Sequence, residues 1–107
     1  MNFTDSKAVE SELKSGLVVV TFSATWCGPC KIMQPELQKM SEKYSDIKVF
    51  KINVEEARDL SKEHSVSSVP HTVAFRDGVV VKTMGGWPGK QKLDEFFASL
   101  HQLSNPA

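Results

Sequence analysis

The sequence lacks an excess of charge of either sign, and it lacks long hydrophobic runs. Its 107 residues carry 13 basic and 13 acidic side chains, so the formal net charge is zero. A basic surface that would attract nucleic acid or an anionic membrane is therefore not expected. The apolar runs are only a few residues long, whereas a membrane-spanning helix needs about 20. We therefore expect neither nucleic acid nor a membrane as a partner.

A secretory start is also missing, and cysteine is scarce. Residues 1–6 contain neither a basic start nor an apolar segment, which argues against a signal peptide. Cys27 and Cys30 are the two cysteines of the chain. In an intracellular protein such a pair is more often catalytic or metal-binding than structural. We expect a cytoplasmic protein with a single domain over residues 1–107, long enough to bury a core without disulfide staples.

The two cysteines lie between a strand pattern and a helix pattern. The apolar, β-branched run over residues 17–22 predicts a buried strand, and helical periodicity begins after Cys30. Cys27 is thus expected at a helix N-terminus, where unpaired N–H groups and the helix dipole favour a thiolate. Cys30, one turn further in, is expected to be more buried and less ionised.

Such a pair is suited to dithiol–disulfide exchange, in which a thiolate attacks a disulfide sulfur. In this interpretation Cys27 attacks the substrate and forms a mixed disulfide, and Cys30 then attacks Cys27 and releases the reduced substrate. Pro29 falls at an early helical position, where its missing N–H costs little. The neighbours assigned to the site are Trp26 as a flat apolar surface, Gly28 and Pro29 as a stiff connection, and Lys31 as a charge that favours the thiolate.

Other uses of two close cysteines fit less well. A structural zinc site needs about four ligands, and the histidines of this chain have no finger-like spacing to the cysteines. Haem attachment needs a histidine directly after the second cysteine, where this chain has Lys31. A bridge over two residues closes too small a loop to stabilise much. Inert core thiols remain an alternative on the cysteine spacing alone.

The remaining segments predict an α/β chain. Residues 47–54 are typical of a second strand, and two β-like runs flank Asp77 and Gly78, which is a strong hairpin signal. Gly16 stands where a helix C-terminal glycine belongs. Helical periodicity links Val9 with Leu13, Met33 with Tyr44, Ala57 with His64, and Leu93 with Leu103.

With these elements in place, the chain resembles the thioredoxin family. The resemblance extends over nearly the whole chain: residues 20–24 match the central strand, and Pro35 matches the helix-kinking proline. A Cys-x-x-Cys motif beside a β–α–β unit is itself the pattern of a thioredoxin-like redox site. The resemblance implies a thioredoxin fold, with a central mixed β-sheet flanked by helices on both faces.

The resemblance also implies the other half of the site. The Val69–Pro70 bond would be cis and would place its turn against the cysteines, and the backbone of Val69 would pair with a bound substrate segment. Gly85 and Gly86 would leave the surface low enough for a partner to dock. No cofactor is implied beyond the redox-active disulfide of Cys27 and Cys30.

The function implied is that of a protein-disulfide reductase in cell redox homeostasis. It would act as a dithiol electron carrier, re-reduced by an NADPH-dependent thioredoxin reductase. Clients of the family include peroxiredoxins, ribonucleotide reductase and methionine sulfoxide reductases. An oxidant or isomerase of the same fold is less favoured, because Gly-Pro separates the cysteines. A redox-dependent docking or chaperone subunit is the alternative from another functional class.

One departure from the family concerns proton transfer. Thioredoxins usually carry a buried aspartate where this chain has Thr21, and that carboxylate pairs with the lysine that Lys51 matches. Threonine can form a hydrogen bond but cannot act as a general base near neutral pH. We expect that deprotonation of Cys30 uses water or another group and that Lys51 lacks its usual partner. A snorkelling Lys51 is as consistent with the sequence as one that tunes the pKa of the cysteines.

Other positions leave two interpretations open. His71 follows Pro70, where threonine is usual, and it would either tune the sulfurs or be a surface histidine. Trp87 would either enlarge the docking surface or pack over the last helix. His64 and His101 are expected to be solvated.

Overall fold

The computed structural model describes residues 1–104, and the domain expected over residues 1–107 extends three residues past this part. Four strands and four helices occur in the described residues. The strands are β1 (Leu17–Ser23), β2 (Ile47–Asn53), β3 (His71–Arg76) and β4 (Val79–Gly85). The helices are α1 (Ser6–Glu12), α2 (Gly28–Lys43), α3 (Arg58–Glu63) and α4 (Lys90–His101), and a 3-10 turn, Gln102–Ser104, follows α4.

The four strands form one mixed sheet in the order β2-β1-β3-β4. β1 runs parallel to β2 and antiparallel to β3, and β3 pairs with β4 as an antiparallel hairpin. Because β1 lies between two strands and under helices on both faces, all seven of its residues are buried. This explains why its sequence is continuously apolar rather than alternating, and it confirms the α/β class and the mixed sheet.

Alternate residues of β1 enter two different cores. Leu17 and Val19 face α2 and α4, together with Met33, Leu37 and Phe97. Residues of β1 with even numbers face the other side, where they pack with α1 and α3. That second core contains Val9, Val18, Val20, Phe22, Ile52, Ala57, Leu60, Val73 and Phe75. The predicted helices are therefore present on both faces of the sheet.

Helix α1 forms where the periodicity of Val9 and Leu13 predicts a helix, but it ends earlier than predicted. Asp5 caps the helix by accepting hydrogen bonds from the backbone N–H groups of Lys7 (3.2 Å) and Ala8 (3.4 Å). The helix ends at Glu12, so the prediction that Gly16 terminates it is wrong. Gly16 lies in the turn before β1 with φ +77°. Its N–H donates to the Asp77 carboxylate at 2.8 Å, a tertiary contact rather than a helix cap.

The Asp77–Gly78 hairpin forms as predicted. Arg76 pairs with Val79, which leaves a two-residue turn in which Asp77 and Gly78 have φ values of +50° and +85°. Positive φ at both positions is the backbone twist that a tight hairpin needs, and it favours Asp-Gly. β4 then ends at Gly85, as expected.

The helix after the cysteines continues through Pro35, as its periodicity predicts, and it places Pro29 in its first turn. At its C-terminus Tyr44 stacks on Phe97 of α4, and Lys43 contacts Asp94 at 2.7 Å. Within residues 1–104, each helix is too short or too polar to cross a membrane.

Candidate active site at the Cys27–Cys30 disulfide

The cysteine pair lies at the start of α2, shortly after the end of β1. Cys27 is the N-cap residue of α2, with an extended backbone (φ −87°, ψ 114°). Its Sγ accepts a hydrogen bond from the backbone N–H of Cys30 at 3.2 Å. One of the unpaired N–H groups of the helix start is thus directed at this sulfur. The predicted position of Cys27 at a helix N-terminus is therefore confirmed.

The two cysteines form a disulfide, with their Cα atoms 5.3 Å apart. Both side chains are buried, with 4% of Cys27 and 6% of Cys30 exposed. The prediction that Cys30 is the more buried of the two is wrong for this oxidised form. The physical reason is the small ring: the bond to Cys30 holds the Cys27 sulfur back against the helix end, under the same neighbours.

Three segments close around the pair. Ala24 packs with the two cysteines in one cluster, and Val54 and Val69 pack against it. The Val69–Pro70 peptide bond is cis, as the resemblance implied, and its turn borders the cysteines.

The end of β4 lies beside the same turn. The N–H of Gly86 donates to the carbonyl of Pro70 at 2.8 Å. A Cβ atom added at Gly85 or Gly86 would have no heavy atom within 4 Å, so the surface above them is open. Gly86 has φ +72°, a conformation that also favours glycine.

A shallow groove of about 150 Å³ runs beside the disulfide. The Trp26 side chain is 68% exposed, and its indole N–H donates to the Glu55 carboxylate at 2.9 Å. Glu55 was not among the predicted site residues, although it lies two residues after β2, the strand parallel to β1, and the carboxyl ends of parallel strands meet at one edge. The groove is lined by Trp26, Val54, Val66, Ser67, Ser68 and Val69.

Thr21 lies in the centre of the sheet and forms a hydrogen bond with another threonine. Its hydroxyl and that of Thr72 on β3 are 3.2 Å apart, and both residues are buried. Thr21 is paired in register with Lys51 of β2, so the three side chains share the sheet face that α2 covers.

Most of Lys51 is buried, which favours a lysine held inside the site over one that snorkels to the surface. Only 8% of the residue is exposed. Its ammonium donates to Gln34 Oε1 at 2.6 Å and lies 4.4 Å from the centre of the Phe3 ring. Phe3 reaches this position through a β-bridge with Lys51.

The surroundings of Lys51 lower its pKa. Burial removes the ammonium from water, which disfavours the charged form and holds the pKa below its ordinary value. No ion pair joins Lys51 to a carboxylate in the part of the chain that the structure describes. Gln34 was not among the predicted site residues, although it lies four residues after Cys30 and thus on the same side of α2.

His71 and His64 lie beside Phe22 on the other face of the sheet, which α1 and α3 cover. His71 is half-buried beside the Phe22 ring (6.5 Å between centroids), on the opposite side of the sheet from Thr21. Burial, and secondly the neighbouring His64, lower the pKa of His71. The prediction that His64 is solvated is wrong, because its ring packs edge-on against Phe75 at 5.3 Å where α3 ends on the sheet. Among residues 1–104, no three His, Cys, Asp or Glu side chains are grouped to hold a metal ion.

The other candidate residues are on the surface or in the core. Lys31 is exposed on the first turn of α2. Trp87 is half-buried and packs against the core between the sheet and the helices α2 and α4, which favours the packing interpretation. His101 is exposed, with its ring nitrogen 2.9 Å from the carboxylate of Asp46.

Comparison with known proteins identifies the family. The thioredoxin family model matches residues 2–99. Thioredoxin-2 of Saccharomyces cerevisiae is 42% identical over 86 residues, which cover 78% of this chain and 83% of that protein. The oxidised mitochondrial thioredoxin 3 of the same yeast superposes with a TM-score of 0.81 at 34% identity, covering 88% of this chain and 89% of that chain.

A further similar chain comes from a structural study of thiol resolution in yeast mitochondrial 1-Cys peroxiredoxin through the glutathione and thioredoxin systems. It superposes with a TM-score of 0.82 at 32% identity and covers 92% of both chains. Together with the disulfide at the start of α2, these matches establish that the chain belongs to the thioredoxin family and is a protein-disulfide oxidoreductase.

Proposed function

We propose that this chain, acting as a single domain, is a general protein-disulfide reductase in which Cys27 is the nucleophile and Cys30 is the resolving cysteine. The observation that carries the assignment is the N–H of Cys30, which donates to the Cys27 sulfur at the start of a 16-residue helix. In the reduced protein this donor and the helix dipole favour a thiolate at Cys27. Among residues 1–104 the structure has no comparable donor to the Cys30 sulfur, so we expect its thiol to ionise less readily.

The reaction passes two electrons from the dithiol to the client. The Cys27 thiolate attacks one sulfur of the client disulfide, and the other client sulfur leaves as a thiolate that takes a proton from water. Cys30 then loses its proton and attacks the Cys27 sulfur. The bond between Cys27 and the client breaks, the second client sulfur is released as a thiol, and the Cys27–Cys30 disulfide remains.

The client is proposed to bind along the open surface around the disulfide. An extended client segment would pair with the backbone of Val69, as an added strand does at a sheet edge. The exposed indole of Trp26 and the empty space above Gly85 and Gly86 support this placement. The proposed binding residues are Trp26, Gly28, Pro29, Val69, Pro70, Gly85 and Gly86.

Lys31 and Lys51 are proposed to tune the pKa of the cysteines, with unequal strength. Lys31 is exposed next to Cys30, so water and salt screen its charge. Lys51 is buried, and a charge in a low-dielectric environment acts over a longer distance. We therefore expect Lys51 to have the larger effect.

The proposed partners are an NADPH-dependent thioredoxin reductase, which returns the disulfide to a dithiol, and disulfide-containing clients. Family membership supports the reductase, and the similar chain from the peroxiredoxin study supports peroxiredoxins among the clients. Ribonucleotide reductase and methionine sulfoxide reductases are further client classes of the family. The proposed setting is electron transport in the cytoplasm, without a cofactor bound to the chain.

Insulin reduction with thioredoxin reductase and NADPH tests the proposal. The wild type should turn over many insulin disulfides, Cys27→Ser should be inactive, and Cys30→Ser should stop at a mixed disulfide. A wild type no faster than Cys30→Ser would instead favour a docking or chaperone role. The redox potential of the pair would separate a reductant from an oxidant or isomerase.

A further inference from the structure

We propose that Gln34 is a positioning residue for the exchange reaction: its side-chain carbonyl holds the Lys51 ammonium one helical turn from Cys30, where the cation stabilises the Cys30 thiolate. The inference rests on the proposed role of Cys30 as the resolving cysteine. Thr21 cannot act as a general base for Cys30. The inference assigns to Lys51, held by Gln34, a different contribution to the same step, which is stabilisation of the thiolate.

The geometry places Gln34 between the lysine and the cysteine turn. Gln34 is four residues after Cys30 on α2, so the two side chains lie on one side of the helix, a turn apart. Gln34 Oε1 accepts from Lys51 Nζ at 2.6 Å. Val54, which is three residues after Lys51, packs against the cysteine pair. The amide therefore fixes the end of a long, flexible side chain next to the reacting turn.

Within the described residues, the partners of the Lys51 ammonium are all neutral. They are the amide oxygen of Gln34 and the ring of Phe3, while the hydroxyl of Thr21 is engaged with Thr72. A buried cation without an anionic partner is stabilised when an anion forms nearby, and it stabilises that anion in turn. The thiolate of Cys30 is such an anion, and it forms only during the resolving step.

Other charges on α2 do not cancel this cation. Glu36, which is buried, interacts with Lys39 at 3.4 Å, and Lys31 is exposed. On β3 the residue in the same row is Thr72, which carries no charge. The choice of an amide at position 34 matters for the same reason, because a carboxylate there would neutralise Lys51.

Lys51 exchanges no proton in this scheme. The Cys30 proton goes to water, the thiolate attacks the Cys27 sulfur, and the client sulfur leaves and is protonated from water. The contribution of Lys51 is electrostatic. An opposite charge within about 4–6 Å lowers a pKa by about 1–3 units, and partial exposure to water reduces this, so we expect about one unit for Cys30.

The test measures the pKa of Cys30 in the full chain carrying Cys27→Ser, so that one thiol titrates by its thiolate absorbance. Gln34→Glu should raise this pKa by about one unit, because the new carboxylate cancels the lysine charge and adds its own. Gln34→Met, which keeps the shape but removes the acceptor, should raise it less. The matched control is Gln38→Met, one turn further along α2, where the amide binds only Glu42 on the surface. The control should leave the pKa unchanged.

A double-mutant cycle separates positioning from a general effect of the substitution. In a Lys51→Met background, Gln34→Met should no longer shift the Cys30 pKa, since its target is gone. An equal shift in both backgrounds would overturn the inference, and so would an unchanged pKa in Gln34→Glu. Insulin turnover by the wild type is measured separately. Its absence would defeat the proposed function, whereas normal turnover with an insensitive Cys30 would defeat only the role of Gln34.

Discussion

At the scale of single residues, Thr21 stands where the resemblance to the family implied a buried aspartate. A threonine in the centre of a fully buried strand must satisfy its hydroxyl within the protein. The hydroxyl of Thr72, 3.2 Å away in the register-paired position of β3, does this. Thr21 is therefore a structural partner of Thr72, and we propose that Lys51 takes the electrostatic role near the cysteines.

The pairing of the two hydroxyls predicts a non-additive effect on stability. Thr21→Val should lower the free energy of unfolding by about 1 kcal/mol, because it leaves the Thr72 hydroxyl buried without a partner. Thr21→Val combined with Thr72→Val should be nearly neutral, since both polar groups are removed. Urea denaturation of the oxidised protein measures both. Single losses that simply add in the double variant would show that the hydroxyls do not depend on each other.

His71 gives a pH dependence with a definite sign. Burial and His64 hold its pKa below the ordinary value of 6.5, so the unfolded chain binds a proton more readily than the folded protein does. Stability should therefore fall as the pH drops below 6.5, and the fall should be smaller in His71→Thr. The free energy of unfolding between pH 7.5 and about pH 5 measures it.

A second variant distinguishes the two causes of the shift at His71. Burial is the larger cause, so His64→Phe, which removes the neighbouring imidazole but keeps a ring against Phe75, should retain most of the pH dependence. If His64→Phe abolished the dependence, repulsion between the histidines would be the main cause instead.

At the scale of elements, the sequence predicts what depends on local chemistry. The buried strand β1, the helix start at Cys27 and the turn at Asp77–Gly78 follow from residues close in the chain, and the structure has them. Contacts between Gln34 and Lys51, and between Trp26 and Glu55, depend on how strands and helices meet. A single sequence does not contain that register, so these contacts were missed.

The errors have the same origin. Gly16 is held by the hairpin, 61 residues away along the chain, rather than by its own helix. His64 is polar by type, but it ends α3 directly over two aromatic residues of the sheet. The relative burial of the cysteines was predicted for two separate thiols, whereas the structure joins them in a disulfide.

The contact between α2 and α4 predicts a second pH dependence of stability. Its cause is hydrogen bonding to Asp94 rather than burial. Hydrogen bonds from Lys43 and then from Tyr44 hold the pKa of Asp94 below its ordinary value of 3.8. Its contribution to stability is therefore complete above that value and is lost as the pH falls below it. Because the group is near the surface, water screening limits the contribution to roughly half a kcal/mol. Asp94→Asn should cost this amount at pH 7 and almost nothing at about pH 2.5, as chemical denaturation would show.

A control for this prediction lies on the same helix. Glu95 is exposed and binds only Gln91 of its own helix, so Glu95→Gln should change the free energy of unfolding at neither pH. A loss at pH 7 as large as that of Asp94→Asn would indicate a general effect of charge on α4 rather than the contact with α2.

At the scale of the whole molecule, the topology brings every part of the site to one edge of the sheet. β1 and β2 are parallel, so the cysteine turn after β1 and Glu55 after β2 lie at the same edge. β3 is antiparallel and therefore starts there, after the Pro70 turn, and β4 returns to end there at Gly85. Lys51 lies just inside this edge, under α2, where a charge is costly to bury and is proposed to act on the cysteines.

The cost of burying the Lys51 ammonium predicts that the protein is less stable than it would be with an apolar residue at this position. A buried ion without a charged partner is often replaced by an apolar side chain with a gain in stability. Lys51→Met should therefore raise the free energy of unfolding at pH 7 by about 1 kcal/mol, while it slows the release of the client from the mixed disulfide. Urea denaturation and single-turnover kinetics measure the two effects on one variant.

The sign of the pH dependence makes this last prediction specific. Burial lowers the pKa of Lys51, so the wild type gains stability as the pH rises through that pKa, because the folded protein then no longer holds a charge. The advantage of Lys51→Met should therefore shrink above neutral pH and be nearly gone once the lysine is deprotonated. Lys48→Met is the matched control, since Lys48 lies on the same strand but pairs with Glu12 at the surface. A variant that lost stability at pH 7 would show that the amide of Gln34 and the ring of Phe3 outweigh the cost of burial, and that Lys51 is retained for the fold rather than for the reaction.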